Sequence, residues 1–219
     1  YPEIRLFCPS EYHPGIDRVC DIWLTDLSTG KGLEFAVAHA GQADVWAYFC
    51  HLPLRVDFYR PLVQAPNMLI DNEAIEHRLA YWIAWKYKLK GMFMWAGNGE
   101  WHVKSVDRKN WEATEEWTLG NKYGFPFGGV LNGNGYLLYP GPHPSIRLKI
   151  LRDGLEDYGY FMALAEAVKK AAGKKKKDVA RKALTVPAEV LMNPHYFNRD
   201  PSALLSARSR IAQLIEALQ

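Results

Sequence analysis

Rings, carboxylates and an amide gather at the ends of short apolar runs in this chain. The run Ile4 to Cys8 leads to Ser10, Glu11, Tyr12 and His13. "VCDIWLT" (19–25) carries Trp23 and leads to Asp26. "DVWAYFC" (44–50) holds Trp46 and Tyr48 and leads to His51. "GMFMW" (91–95) ends in Trp95, with Asn98 and Glu100 just beyond. Aromatic walls beside amide, hydroxyl and carboxylate groups suit a sugar. The apolar CH face of a pyranose stacks on a ring, and its hydroxyls need a few placed polar partners. The competing reading is that the same rings fill the top layer of a packed barrel.

Hydrolysis of a glycosidic bond ordinarily needs two carboxyls, one as acid and one as nucleophile or base. Glu11, Asp26 and Glu100 stand at strand ends and are the candidates, although nothing in their spacing pairs them. Asp21 shares a strand face with Trp23 and is expected to be a buried, hydrogen-bonded residue near the site. Glu156-Asp157 is adjacent but falls inside a helical pattern, which points to a structural role. His13, His51 and His143 are scattered and lack metal-ligand spacing such as HExxH, so no metal is expected. There is no GxSxG, no Walker motif and no dinucleotide fingerprint, and no cofactor is implied.

The elements that would position these residues alternate. Four strand-like runs (4–8, 19–25, 44–50 and 91–95) are interleaved with helix-compatible segments such as 32–41 and 72–90. That alternation predicts parallel pairing through right-handed crossovers. In a (β/α) barrel the functional groups sit at the strand C-termini, where the candidates fall. Period two places Trp46, Tyr48 and Cys50 on one face of their strand, and Phe93 and Trp95 on one face of theirs.

Helix 72–90 has signals at both ends. Asp71 or Asn72 is expected to cap it, with Glu73 and Glu76 in its first turn. Ile75, Leu79, Trp82 and Ile83 form its buried stripe. Lys86, Lys88 and Lys90 follow, and Gly91 is expected to supply the left-handed stop. A long Gly- and Trp-rich stretch (96–134) then precedes "GYLLYPG" (135–141). Ser145 is expected to cap a helix running to Lys170, with Ile150, Leu151, Leu155, Tyr158 and Met162 buried and Arg152–Glu156 as an i,i+4 pair. Gly154 and Gly159 are candidate sites of close packing. Helices are also expected over 178–192, interrupted by Pro187, and over 202–218.

Composition excludes several classes. The chain has 219 residues, 48% hydrophobic, with a formal charge of +3, too small to argue for nucleic acid. The run Lys174 to Lys177 reads as a solvated linker. Cys8, Cys20 and Cys50 have no CxxC spacing and read as buried free thiols. No stretch is long and apolar enough for a membrane span, and no membrane partner is expected. Tyr1-Pro2-Glu3 runs almost directly into the first strand-like segment, which reads as a chain cut within a domain.

The stretch from "DVWAYFCHLPLRVDFYRPLVQAPNMLIDNEAIEHRLAYWIAWKYKLKGMFMWAGN" through "GNGYLLYPG" and "SIRLKILRDGLEDYGYFMAL" resembles the domain of unknown function 4091 of bacterial glycoside hydrolases. It also looks related to glycoside hydrolase family 123, the β-N-acetylgalactosaminidases. The likeness spans roughly residues 4 to 170. It rests on W-x-Y-x-C, E-x-R-x-x-x-W, G-x-x-x-W and R-D-G-x-E-D-Y in combination.

The resemblance implies an α/β fold: the C-terminal part of a (β/α)8 TIM-type barrel, about four parallel strands, followed by C-terminal helices. Residues 1–172 would form the barrel half and 173–219 a helical extension. It implies cleavage of an N-acetylhexosaminide by a retaining, substrate-assisted route, in which the sugar's 2-acetamido group attacks the anomeric carbon. An adjacent Asp-Glu pair would orient that group and protonate the leaving oxygen. The family's pair belongs upstream of everything in this chain, where no Asp-Glu sequence occupies a strand end.

By the same likeness Trp46 and Tyr48 would line the sugar pocket, with Tyr48 hydrogen-bonding the acetamido group. Trp95 would stack on the ring and Asn98 would contact hydroxyls. Arg78 and Asp57 are weaker candidates, Arg78 being equally an ion-pair partner. The family suggests a periplasmic or extracellular location. A half barrel exposes sheet edges, so self-association or complementation by a missing barrel half is expected. The alternative is a non-catalytic carbohydrate-binding or structural barrel fragment.

Overall fold

A computed structural model describes residues 5–8, 15–16, 19–27, 30–41, 43–49, 65–70, 72–94, 97, 137–139, 141, 143–171 and 173–218. Strands β1 (Phe7–Cys8), β2 (Ile22–Thr25), β3 (Asp44–Phe49) and β4 (Gly91–Met94) form one sheet in the order β1-β2-β3-β4. All three pairings are parallel. Helix α1 (Gly30–His39) joins β2 to β3, and α2 (Ala74–Lys86) lies between β3 and β4. Strand–helix–strand units of this kind are those a (β/α) barrel repeats, and the described sheet is consistent with part of one.

Alternation decides the two faces of the sheet. Val45, Ala47 and Phe49 are buried and join a core that includes Leu79, Trp82 and Ile83 of α2. Trp46 and Tyr48 point the other way and are half-buried. Gly91 is paired with Trp46, and its missing side chain matters: a Cβ there would lie 2.6 Å from the indole Cδ2. The glycine therefore lets the ring lie across β4.

The left-handed stop of α2 is Lys88 (φ 55°), not Gly91. Lys88 N–H donates to the Trp85 carbonyl (3.1 Å) and Leu89 N–H to that of Ala84 (2.9 Å), a Schellman closure. The sequence misleads here because a glycine three residues on looks like the cheaper left-handed residue, yet the hydrogen-bond closure fixes the position. At the other end the N-cap is Glu73, with no side-chain cap bond; Asn72 instead donates to Glu76 Oε2 at 2.5 Å.

Helix α3 (Ile146–Lys170) is capped as expected, the Ser145 hydroxyl accepting from Leu148 N–H at 3.2 Å. Its buried face is Arg147, Leu151, Gly154, Asp157, Phe161, Leu164 and Val168. Leu155 (51% exposed) and Met162 (55%) lie outside it. The stripe is turned because Gly154 and Asp157, not large apolar residues, make the closest approach to α2. A Cβ on Gly154 would stand 2.7 Å from the Arg78 carbonyl oxygen, whereas one on Gly159 would meet nothing within 4 Å. Arg152 and Glu156 do pair, at 3.6 Å.

The chain continues with α4 (Lys174–Ala183) and α5 (Pro201–Leu218). Two hairpins complete the described elements, β5 (Leu138–Tyr139) with β6 (His143–Pro144) and β7 (Leu191–Asn193) with β8 (Tyr196–Phe197). Lys174 to Lys177 is thus the first turn of a helix and not a linker. The helix expected over 178–192 ends at Ala183, and Leu191–Asn193 turns back as a strand. Pro187 cannot continue a helix, and its carbonyl accepts from Val190 and Leu191 in the tight turn that follows. Ala180, Val190, Leu204 and Ile211 join the same core cluster as α2 and α3.

Cys8 and Cys20 are disulfide-bonded, which corrects the free-thiol reading. Their Cα atoms are 6.0 Å apart, within disulfide range. Spacing hid the pair, because the parallel register of β1 on β2 is what brings the segments together. Cys50 lies outside the described residues.

Candidate functional site

Parallel register brings Trp46, Tyr48 and Phe93 together with Phe7 on one face of the sheet. Leu24, Trp46 and Gly91 are mutual partners across β2, β3 and β4, and Tyr48 pairs with Phe93. The Tyr48 and Phe93 rings are 5.4 Å apart, Phe93 lies 5.0 Å from Phe7, and Phe7 meets Trp46 edge-on at 6.1 Å. Asp26 follows Thr25, whose partner is Ala47, and so stands level with Tyr48 just past the end of β2. It is half-buried, with Oδ2 fully enclosed. The C-terminal end of the sheet therefore carries a carboxylate, a phenol and a phenyl ring in a row, with an indole one step below.

Other expectations divide. Glu11, Glu100, Trp95, Asn98 and Asp57 lie outside the described residues. Trp23 is on the opposite face, buried against Phe35 of α1 at 6.1 Å between ring centroids. Asp21 is exposed at the start of β2, the wrong end for the site, where its Oδ2 accepts from Leu6 N–H at 2.6 Å. The strand is shorter than its apolar pattern, so Asp21 precedes the pairing instead of sharing a buried face.

Arg78 belongs to the helix layer. The Asp157 carboxylate, 1% exposed, accepts from Arg78 Nε (2.7 Å) and Nη2 (2.9 Å), Trp82 Nε1 (2.9 Å) and Arg208 Nε (2.7 Å). Beside this carboxylate the Arg78 guanidinium is held above its ordinary pKa. Asp157 thus ties α2, α3 and α5 together, the structural role expected of it.

Sequence reading missed a buried polar group at the N-terminal ends of α2 and α3. In parallel strand–helix units those ends lie toward the strand C-termini. His77 Nδ1 donates to the Asn67 carbonyl (2.7 Å), and Arg147 Nη1 to that of Met68 (2.6 Å). Together they pin the segment 65–70. Burial lowers the His77 pKa, with the Asn67 carbonyl opposing and the Arg147 charge assisting. Burial also lowers that of Arg147, against the Tyr139 hydroxyl beside it. Glu76 is raised by burial, against its bonds to Asn72 and Arg199. A charged residue inside an apolar helical stripe, such as Arg147 in "SIRLKIL", was the available signal.

Among the described residues no group of three or more His, Cys, Asp or Glu could hold a metal ion. No described helix is long and apolar enough to cross a membrane.

Fold and face define a parallel α/β domain with a ring-lined end. The model of the glycoside hydrolase 123 catalytic domain matches residues 10–164, and the chain belongs to that family. No curated protein matches it.

Proposed function

We propose that this chain is a glycoside hydrolase domain acting on glycans that contain N-acetylhexosamine, by a substrate-assisted retaining mechanism. The observation that carries the reading is the face that runs from Trp46 to Tyr48 and Phe93 toward the strand C-termini, in a chain of this family. In this reading Trp46 and Tyr48 line the pocket, and the Tyr48 hydroxyl bonds the acetamido group so that its oxygen faces the anomeric carbon. Trp95 stacks on the pyranose and Asn98 meets its hydroxyls. The acetamido oxygen closes on the anomeric carbon as the leaving oxygen takes a proton, and water then opens the cyclic intermediate with retention.

The sequence contains no Asp-Glu dipeptide. The reading therefore places the acid/base pair on a strand outside β1–β4, with pairing at a sheet edge completing the barrel. The same absence favours a second reading, a sugar-binding barrel segment without chemistry. The Cys8–Cys20 bond supports an oxidising location, periplasmic or extracellular.

The test is hydrolysis of a chromogenic β-N-acetylgalactosaminide, with the glucosaminide as control. For this chain alone the expected result is binding without turnover, lost in Trp95→Ala. Turnover that falls in Glu11→Gln, Asp26→Asn or Glu100→Gln would place the catalytic carboxylate here and overturn the assignment of the pair. Absence of sugar binding would overturn the pocket.

A further inference from the structure

A groove of about 800 Å³ opens at the N-terminal ends of β3 and β4, the end of the sheet away from Tyr48. Gly41 and Leu89, just ahead of those strands, form part of its wall. Trp85, Tyr87 and Tyr158 supply rings, all half-buried. Lys86, Lys88 and Lys90 supply three ammonium groups. We propose that this groove binds an acidic saccharide, a ring bearing carboxylate or sulfate, as a second glycan-binding site.

Three observations carry it. First, the Trp85 and Tyr158 rings are held in place. Trp85 Nε1 donates to the Leu184 carbonyl at 2.7 Å, and its indole meets Tyr158 edge-on at 5.4 Å. A ligand ring finds a prepared surface and orders little on binding.

Second, the cations are not consumed by the helix. Lysines at a helix C-terminus ordinarily complement its exposed carbonyls. Here Tyr87, Lys88 and Leu89 N–H groups already close on Ile83, Trp85 and Ala84. Among the described residues no carboxylate pairs with Lys86, Lys88 or Lys90.

Third, Lys88 occupies a left-handed position that glycine fills at lower cost. Its stem lies toward the end of α1, since a Cβ on Gly41 would meet Lys88 Cδ at 3.8 Å. A cation is thereby set on the groove wall, where a glycine would leave none.

Clustered positive charge beside aromatic faces complements an anionic ring better than a neutral one. The choice of a saccharide among anions rests on the glycan-acting reading above.

The test is calorimetric binding of a chondroitin sulfate hexasaccharide to the full chain at two salt concentrations, with the desulfated hexasaccharide as control. The expected result is salt-dependent binding of the sulfated form. It should weaken about tenfold or more in Lys88→Glu/Lys90→Glu and persist in Lys149→Glu, an exposed lysine near the start of α3. Lys88→Gly, which favours the same backbone, should weaken it severalfold. Equal binding of both hexasaccharides, equal loss in Lys149→Glu, or no binding would overturn the proposal. Tighter retention on phosphatidylserine vesicles would overturn it in favour of a lipid surface. Because hydrolysis of the chromogenic glycoside is a separate readout, failure there leaves this result interpretable.

Discussion

Replacing Asp157 by Asn tests how α2, α3 and α5 are held together. The change is nearly isosteric, so it probes charge and donor–acceptor balance without opening a cavity. Asp157 accepts two bonds on each oxygen, from Arg78 Nε and Trp82 Nε1 on Oδ2 and from Arg78 Nη2 and Arg208 Nε on Oδ1. An amide keeps one oxygen. Whichever way it turns, its NH2 faces two donors, so two of the four bonds become repulsive contacts. Removing one partner of a buried ion pair costs about 3–5 kcal/mol. Arg78 and Arg208 are 19% and 30% exposed, so water recovers part of that loss and the expected cost is about 3 kcal/mol. For a chain of this size that is a fall of roughly 6–12 °C in Tm. Thermal unfolding followed by circular dichroism at pH 7, with urea titration beside it, reads it directly. Arg208→Met leaves the Arg78 fork and the Trp82 bond intact and should cost about 1 kcal/mol, mostly the ion pair and the guanidinium over Tyr160 (4.3 Å). A loss below about 1 kcal/mol in Asp157→Asn, or a larger loss in Arg208→Met, would refute the claim that this carboxylate is the junction.

Lys88→Gly should raise stability by about 0.5–1 kcal/mol by relieving the left-handed backbone, a rise visible in the urea midpoint. Gly154→Ala should do the reverse: its Cβ meets a backbone oxygen at 2.7 Å, so the α2–α3 contact must part, at about 2 kcal/mol in the same assay. His77 carries a pH prediction. Its folded pKa lies below the ordinary 6.5, so the folded state binds fewer protons than the unfolded chain. The resulting stability is present above about 6.5 and is lost as pH falls through the folded value. Glu76, raised above 4.5, acts oppositely, favouring the fold as it protonates. Comparing Tm at pH 7.5 and pH 5.5 should show a fall in the parent chain that is smaller in His77→Asn; an equal fall in both would discard His77 as its source.

The four parallel strands and the helices between them were legible because each is a local pattern. Short apolar runs alternated with amphipathic ones, and parallel pairing then left little freedom. The Trp46–Tyr48 face was legible for the same reason, since period two needs no tertiary information. What was hidden depended on partners far along the chain. Cys8 meets Cys20 only through the register of β1 on β2. The buried face of α3 is turned by Gly154 and Asp157, and both matter only because α2 lies against them. Trp23 and Asp21 were misplaced by strand ends that fall inside the apolar run, so that pairing, and not composition, decides which face each residue takes.

The two ends of the sheet are built by different means. On the ring-lined face, Gly91 at the start of β4 lets Trp46 lie across that strand, and Phe7 and Phe93 pack beside the neighbouring rings toward the C-terminal end. Just behind it, His77 and Arg147 fix the segment 65–70 through backbone carbonyls. At the N-terminal end, α2 closes by its own backbone and leaves its lysines available to solvent. Helix α2 links the two, carrying His77 near its start and Trp85 near its end. Its position is set midway by Arg78 and Trp82 on Asp157. That carboxylate also binds Arg208 of α5, a helix beyond the 10–164 family match. Residues after 164 therefore bear on the placement of α2 itself. A perturbation of α5 should therefore be felt at α2, and through α2 toward both ends of the sheet.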